Sequence, residues 1–234
     1  MNQILITEKL YVTPELKKKK KIYQFAFFIS IICIFLLSSY YIYAEYDRNK
    51  SEEVSQEILA EIDDTTVNED DSILRVALEV DGQEQDVIIE ENNETKNKYV
   101  TQNGQSYTTE AVLNIPSLEI NYPVLSETSE ELLKISLNKF WGPSPNEVGN
   151  YCIVGHNYKN KKMFGKLSSI KNGDIVELTD NSGKTIKYAV YNKYVVEPED
   201  VSCTSQLTNG NKEVTLITCT NYGKQRLVVK ARQV

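Results

Sequence analysis

The chain holds a single histidine, His156, and no Cys-x-x-Cys pair among its 234 residues. One imidazole and scattered cysteines offer no ligand spacing for zinc or a similar ion, so no metal centre is expected. Without that cysteine pair a dithiol redox enzyme is excluded. The chain also lacks GxxxxGK[ST], GxGxxG and GxSxG, which leaves nucleotide binding and serine hydrolysis without support. No cofactor is expected. Lys and Arg number 26 against 33 Asp and Glu, a net charge of -7, so no cationic footprint for nucleic acid is expected.

What the chain does hold begins with an apolar run. Residues 22–44 read IYQFAFFISIICIFLLSSYYIYA, with no charge. As a helix this run would cross the roughly 30 Å of a bilayer's hydrocarbon. Tyr40, Tyr41, Tyr43 and Tyr46 gather at its far end, as an interfacial aromatic belt does. Five lysines, Lys17 to Lys21, precede the run, and Glu45 and Asp47 follow it. The positive-inside rule then keeps residues 1–21 cytoplasmic and exports the chain beyond about residue 45. A cleaved signal peptide is the competing reading. The run is longer than a usual h-region, however, and SSYYIYAEY is a poor cleavage site. The segment is read as a single-pass anchor in the cell membrane.

Residues 45–107 read as an extracytoplasmic stalk. Up to about residue 70 the stretch is dense in Glu, Asp, Ser and Asn. Val54, Ile58 and Ile62 stand at helical spacing, but the charge favours a solvated stalk over an amphipathic helix. ILRVALEV and QDVIIE alternate enough for strands, and the loop-like EENNETKNK follows.

From residue 108 to 234 the character changes. AVLNI, INYPVL, NYCIVG, DIVELT, TIKYAVY, KYVV, EVTLITC and RLVVKA are short runs rich in Val, Ile and Tyr. Turn residues separate them, which predicts an all-β domain: an eight-stranded closed or nearly closed β-barrel with short helices. The best helical signal is SEELLKISLNKF over residues 129–140.

Chemistry is carried by three residues at strand ends. His156 ends NYCIVGH, Cys219 ends VTLITC, and Arg226 opens the run after the turn Asn221-Tyr222-Gly223. Each has an ordinary structural role open to it: a hydrogen-bonding imidazole, a small buried hydrophobe, a solvated cation. Together they supply a sulfur nucleophile, a proton shuttle and a cationic partner for an oxyanion. If the turn joins an antiparallel pair, Arg226 returns to the level of Cys219. Four cysteines are present; Cys33 lies in the apolar run, leaving Cys152, Cys203 and Cys219. Three exported thiols cannot all pair, and Cys219 is read as the free one. A Cys152–Cys203 disulfide stays open. The order, histidine before cysteine, is the reverse of that in papain-like enzymes.

At these residues the chain resembles the sortase family, membrane-anchored cysteine transpeptidases of Gram-positive bacteria. The resemblance covers residues 108–234 and rests on IPSLEINYPV, on the GN-x4-GHN run, on MFGKLSSIKNGDIVEL, and on TLITC followed by Arg226. It implies an eight-stranded barrel with His156, Cys219 and Arg226 as the catalytic trio. It also implies the reaction: cleavage of an LPXTG-like sorting signal through a thioester on Cys219, then transfer to an amine of a peptidoglycan stem peptide or a pilin lysine. An inactive exported barrel acting as a binding module, or a sorting-signal hydrolase, is the alternative.

In this family the loop corresponding to residues 197–211 helps to read the sorting signal. Thr204 and Leu207 there, with Asn157 and Thr218, are the expected substrate contacts. Cys152 is read as packing. Pilus-building members usually carry a second, C-terminal span and a lid. Neither is read here, and with the short Cys-to-Arg spacing the expected class is housekeeping-like or class D-type.

Overall fold

The structure is a computed structural model that describes residues 14–67, 98–101 and 104–234. ILRVALEV and QDVIIE lie outside the described residues, as do residues 1–13 of the expected cytoplasmic head. The chain divides into two units, Met1–Arg48 and Asn49–Val234. Helix α1 is assigned over Pro14–Val67. In the first unit it is long and apolar enough to cross a membrane, and large side chains such as Phe28, Phe35 and Leu37 stand exposed along it.

In the second unit the helix is not the solvated stalk expected from its charge. Val54 and Ile58 are buried with Tyr99, Tyr107 and Leu125, and Ile62, Leu132 and Ile135 pack around them. The Ser55 hydroxyl donates to Ser136 Oγ at 3.0 Å. Val54, Ile58 and Ile62 form an i, i+4, i+8 stripe that finds an apolar partner surface, and Glu52 also turns to the barrel, where its carboxylate meets the Tyr122 hydroxyl. Burial of the stripe decides the outcome over the segment's overall polarity.

The strands are β1 (Lys98–Val100), β2 (Ser106–Ile115), β3 (Ile120–Leu125), β4 (Leu137–Trp141), β5 (Gly149–Val154), β6 (Ile175–Asp180), β7 (Thr185–Val196), β8 (Lys212–Thr220) and β9 (Gln225–Gln233). Their order is β1-β2-β3-β4-β5-β8-β9-β7-β6, and β6 pairs back onto β2. Strands β2 to β9 thus close an eight-stranded barrel, with β1 added on β2. Pairings β3–β4 and β5–β8 are parallel and the rest antiparallel. The expected fold class holds.

Two runs were misread, and the errors cancel in the strand count. Residues 129–140 do not form one helix. Ser129 caps a single short helix, α2 (Glu130–Ile135), its side chain accepting from Leu132 N, and Ser136 is already extended. The chain then enters β4, because Leu137 and Asn138 bury completely against neighbouring strands. TIKYAVY and KYVV are not two strands but one, β7, with Tyr191 as an extra residue between the Val190–Ala231 and Asn192–Lys230 pairs.

That bulge moves the strand's even-numbered side chains from one face to the other. Tyr188 and Val190 point into the barrel with Leu113, Tyr151, Leu216 and Val229. Tyr194 and Val196 instead join Ile217, Val228, Val154 and Cys203 in a separate cluster on the outer face.

Docking of α1 on the barrel predicts that Ile58→Ala, which empties a fully buried position, lowers unfolding stability by about 2–4 kcal/mol. The measurement is chemical denaturation of the full chain in detergent micelles. An unchanged midpoint would show that the helix does not contribute to the barrel's stability.

Candidate active site

The outer cluster is the floor of the site, and the sheet's register sets a row of residues across it. Cys219 and Arg226 are direct partners in the antiparallel β8–β9 ladder, so their side chains leave the same face. Arg226 is in turn the partner of Val196 on β7. On the other side, the parallel β5–β8 ladder pairs Val154 with Ile217. It continues through a bond from Gly155 N to Ile217 O at 3.3 Å.

Two residues beyond this last pair the chain reaches His156, just past the end of β5, and Cys219 on β8, which sets the two at the same level. With neighbouring strands roughly 5 Å apart, the backbone of Cys219 lies between the histidine segment on one side and Arg226 on the other. The three expected catalytic residues are therefore brought to one row. Among the described residues no hydrogen bond joins the imidazole to the thiol, and Arg226 Nη1 donates to the carbonyls of Gly223 (2.9 Å) and Gln225 (3.2 Å).

Exposure separates the thiols. Cys152 and Cys203 are buried, Cys219 is partly exposed, and none is in a disulfide. Burial, assisted by the neighbouring Cys203, pushes the Cys152 thiol up to about 12. Burial also raises Cys203. A thiol held protonated and away from solvent makes a poor nucleophile, so Cys219 is the accessible thiol of the barrel.

The His156 imidazole is half-buried beside the Tyr158 ring, with centroids 5.0 Å apart. Desolvation lowers its pKa from the ordinary 6.5, and the nearby Lys134 ammonium lowers it further. The imidazole is therefore predominantly neutral at pH 7, ready to accept a proton.

The turns that carry these groups are held by polar contacts. Asn157, expected to touch substrate, donates from Nδ2 to the Cys219 carbonyl at 2.9 Å. It thus ties the histidine loop to the cysteine strand. Thr218 lies on the inner face and is buried, with its hydroxyl donating to the Gly155 carbonyl at 2.7 Å. The structure therefore places it as a support of the histidine loop rather than in the groove. Its position follows from alternation: with Cys219 facing out, its neighbour must face in. Thr204 donates to the Val201 carbonyl at 2.8 Å, and Leu207 stands 91% exposed on the 197–211 loop.

Several supports stand in the motifs quoted above without a role assigned to them there. Asn150 is fully buried, and its Nδ2 donates to the carbonyls of Cys203 (2.9 Å) and Ser205 (3.1 Å). It pins the 197–211 loop over β5. Its signal was available: an asparagine entering an apolar strand run needs a partner when buried. At Gly155 a Cβ would come within 2.4 Å of Leu137 Cδ2 and 2.9 Å of Phe164 Cδ2. The glycine lets Phe164 press against the backbone just before His156, and Phe164 N donates to the His156 carbonyl at 3.0 Å. A glycine closing a strand run is a marker of such close approach.

Among described residues no cluster of His, Cys, Asp or Glu suited to a metal ion occurs.

Comparison with known proteins places the barrel in a family. The family described as Sortase domain matches residues 113–234. Sortase A of Bacillus anthracis is 33% identical over 113 residues, which are 46% of this chain and 50% of that protein. Sortase A of Streptococcus agalactiae is 28% identical over 165 residues, 61% of this chain and 66% of that protein. The chain thus spans between half and about two-thirds of the length of these curated relatives. Among solved structures, Sortase A from Corynebacterium diphtheriae superposes with a TM-score of 0.51 at 29% identity, covering 55% of this chain and 61% of that one. A sortase D5 transpeptidase from Clostridium perfringens superposes with a TM-score of 0.50 at 26% identity, covering 54% and 79%. With more than half of its length matched by the family and the same barrel fold in its solved relatives, this chain belongs to the sortase family.

Proposed function

We propose that the protein is a cysteine transpeptidase that cleaves an LPXTG-like sorting signal and transfers the acyl fragment to an amine. The observation that carries this reading is the single row His156–Cys219–Arg226 across β5, β8 and β9. It lies above an apolar floor of Val154, Ile217, Val228 and Val196. Family membership supports the choice of a sorting signal as substrate.

Neutral His156 accepts the Cys219 proton as Sγ attacks the Thr–Gly carbonyl. Arg226 stabilises the negative charge that develops on the carbonyl oxygen or aligns the sorting peptide. His156 then gives its proton to the departing glycine amine, leaving a thioester on Cys219. An incoming amine, from a peptidoglycan stem peptide or a pilin lysine, loses a proton to His156 as it attacks the thioester. That proton returns to the sulfur as the new amide leaves. Apolar walls around the thioester hold water away, which favours transfer over hydrolysis. Asn157, Thr204 and Leu207 stand on the loops that border the row and are proposed to meet the peptide.

In this reading residues 1–21 are the cytoplasmic head and residues 22–44 the membrane anchor. Residues 45–107 are the extracytoplasmic connection and residues 108–234 the catalytic domain. The lysines Lys17 to Lys21 support that orientation.

Incubating the full chain in micelles with a panel of LPXTG-type peptides and an amine acceptor tests the proposal. A peptide–amine product is expected. Free acid alone would point to a hydrolase, and no product across the panel to a binding module. Cys219→Ala and His156→Ala are expected to abolish nearly all turnover, and persistence of turnover in Cys219→Ala would end the thiol mechanism. Arg226→Ala is expected to raise the barrier by about 2–4 kcal/mol, as loss of an oxyanion donor does.

The lone imidazole can be titrated by NMR without overlap. Its midpoint is expected below 6.5, because burial and then Lys134 both disfavour the charged ring. Lys134→Gln should move the midpoint upward but not fully to 6.5, since the larger contribution, desolvation, remains. A parent midpoint at or above 6.5 would contradict this account.

A further inference from the structure

Beyond the row itself, a chain of hydrogen bonds runs from helix α1 to the backbone of His156. The Tyr122 hydroxyl lies 2.8 and 3.0 Å from the two Glu52 carboxylate oxygens. Burial pushes the Tyr122 phenol well above its usual range, so it keeps its proton and donates to Glu52. The same hydroxyl accepts from Met163 N at 3.1 Å.

Met163 is buried and sits at φ 49°, ψ -121°, the first central position of a II′-like turn. That turn is closed by Gly165 N donating to Lys162 O at 2.9 Å. This position normally takes glycine, and a methionine stays there only where the surroundings over-determine it. Four further contacts surround it. Met163 bridges to Asn157. A Cβ at Gly165 would meet Tyr158 O at 2.4 Å, so the turn lies flat on the histidine loop. Lys162 Nζ donates to Asn49 Oδ1 on the helix at 2.9 Å. The next residue, Phe164, donates to the His156 carbonyl.

We propose that Glu52 and Tyr122 are positioning residues for His156: they hold the strained Met163 turn, and through it the imidazole's place in the row. The helical stretch that follows the apolar segment thereby becomes part of the catalytic apparatus rather than a tether. Neither residue reaches the groove, and their effect passes through backbone geometry alone. The inference rests on the transpeptidase reading for its consequence in turnover, but the positional claim can be tested independently.

The test uses the full chain in micelles with ring-labelled histidine, whose only imidazole reports its own surroundings. The parent is expected to give one sharp set of ring signals. Tyr122→Phe, and Glu52→Ala at a half-buried helix position, should shift or split that set. They should also lower kcat on the LPXTG-type peptide by about tenfold or more, with KM changed by less than about twofold, as misplacement of a catalytic group does. Glu52→Gln keeps an oxygen that can accept the phenol proton and should restore most of both readouts. Ser55→Ala removes a different helix-to-barrel bond and should leave both unchanged.

Ring signals of Tyr122→Phe superimposable on the parent's would overturn the proposal, as would an equal change in Ser55→Ala. A parent that turns over no peptide counts against the transpeptidase reading alone, because the ring signals still report the coupling.

Discussion

The parallel pairing of β5 with β8 is the contact on which the rest of the site depends. Its six residue pairs run from Gly149–Lys212 to Val154–Ile217, joining strands separated in sequence by two others. In a barrel that is otherwise mostly antiparallel, this ladder brings the loop after β5 to the end of β8. A slip of one residue would turn His156 toward the barrel interior and leave Cys219 without an imidazole at its level. The β8–β9 hairpin then adds Arg226 with no further long-range requirement, since its partner is set by the turn at Asn221–Gly223. Asn157, Thr218 and Phe164 tighten the junction from three directions, each through a backbone atom of the other segment.

The site sits on the outside of the barrel, and that location has a chemical consequence. The interior is filled by a large cluster of buried apolar side chains, whereas the outer face between β5, β8, β9 and β7 is apolar but only partly covered. The 197–211 loop, tied down by Asn150, forms one edge. A half-buried imidazole with a lowered pKa and a partly exposed thiol border this floor, as the proposed acyl transfer requires. The same desolvation that disfavours the charged His156 ring also raises the pKa of the Cys152 and Cys203 thiols, so Cys219 is the accessible one of the barrel's three.

Much of the fold was legible because half-buried strands alternate with a period that turn residues interrupt cleanly. INYPVL, DIVELT and EVTLITC all lie where the runs predict, and His156, Cys219 and Arg226 stand out at the ends of such runs by residue type. The helix over 129–140 was overextended because Leu132, Leu133, Ile135 and Leu137 fit a helical spacing equally well. Only the neighbours of Leu137 make it a strand residue. The division of β7 into two runs followed the pattern faithfully, since a bulge breaks the alternation without breaking the strand. The docked part of α1 was read as solvated because its partner surface is built from Tyr99, Tyr107 and Leu125. Nothing in the local composition announces that surface.

Residue chemistry and local periodicity lie in the sequence itself: an apolar segment flanked by lysines, a β-rich domain, one histidine, and a cysteine and an arginine bracketing a tight turn. Those properties depend on near neighbours along the chain. Which face Thr218 presents, how the bulge at Tyr191 returns Tyr194 and Val196 to the groove, and how Glu52 reaches the histidine loop were decided only in three dimensions. Each depends on a contact between segments far apart in sequence, where burial and hydrogen-bond satisfaction choose among local conformations that the chain by itself leaves nearly equal.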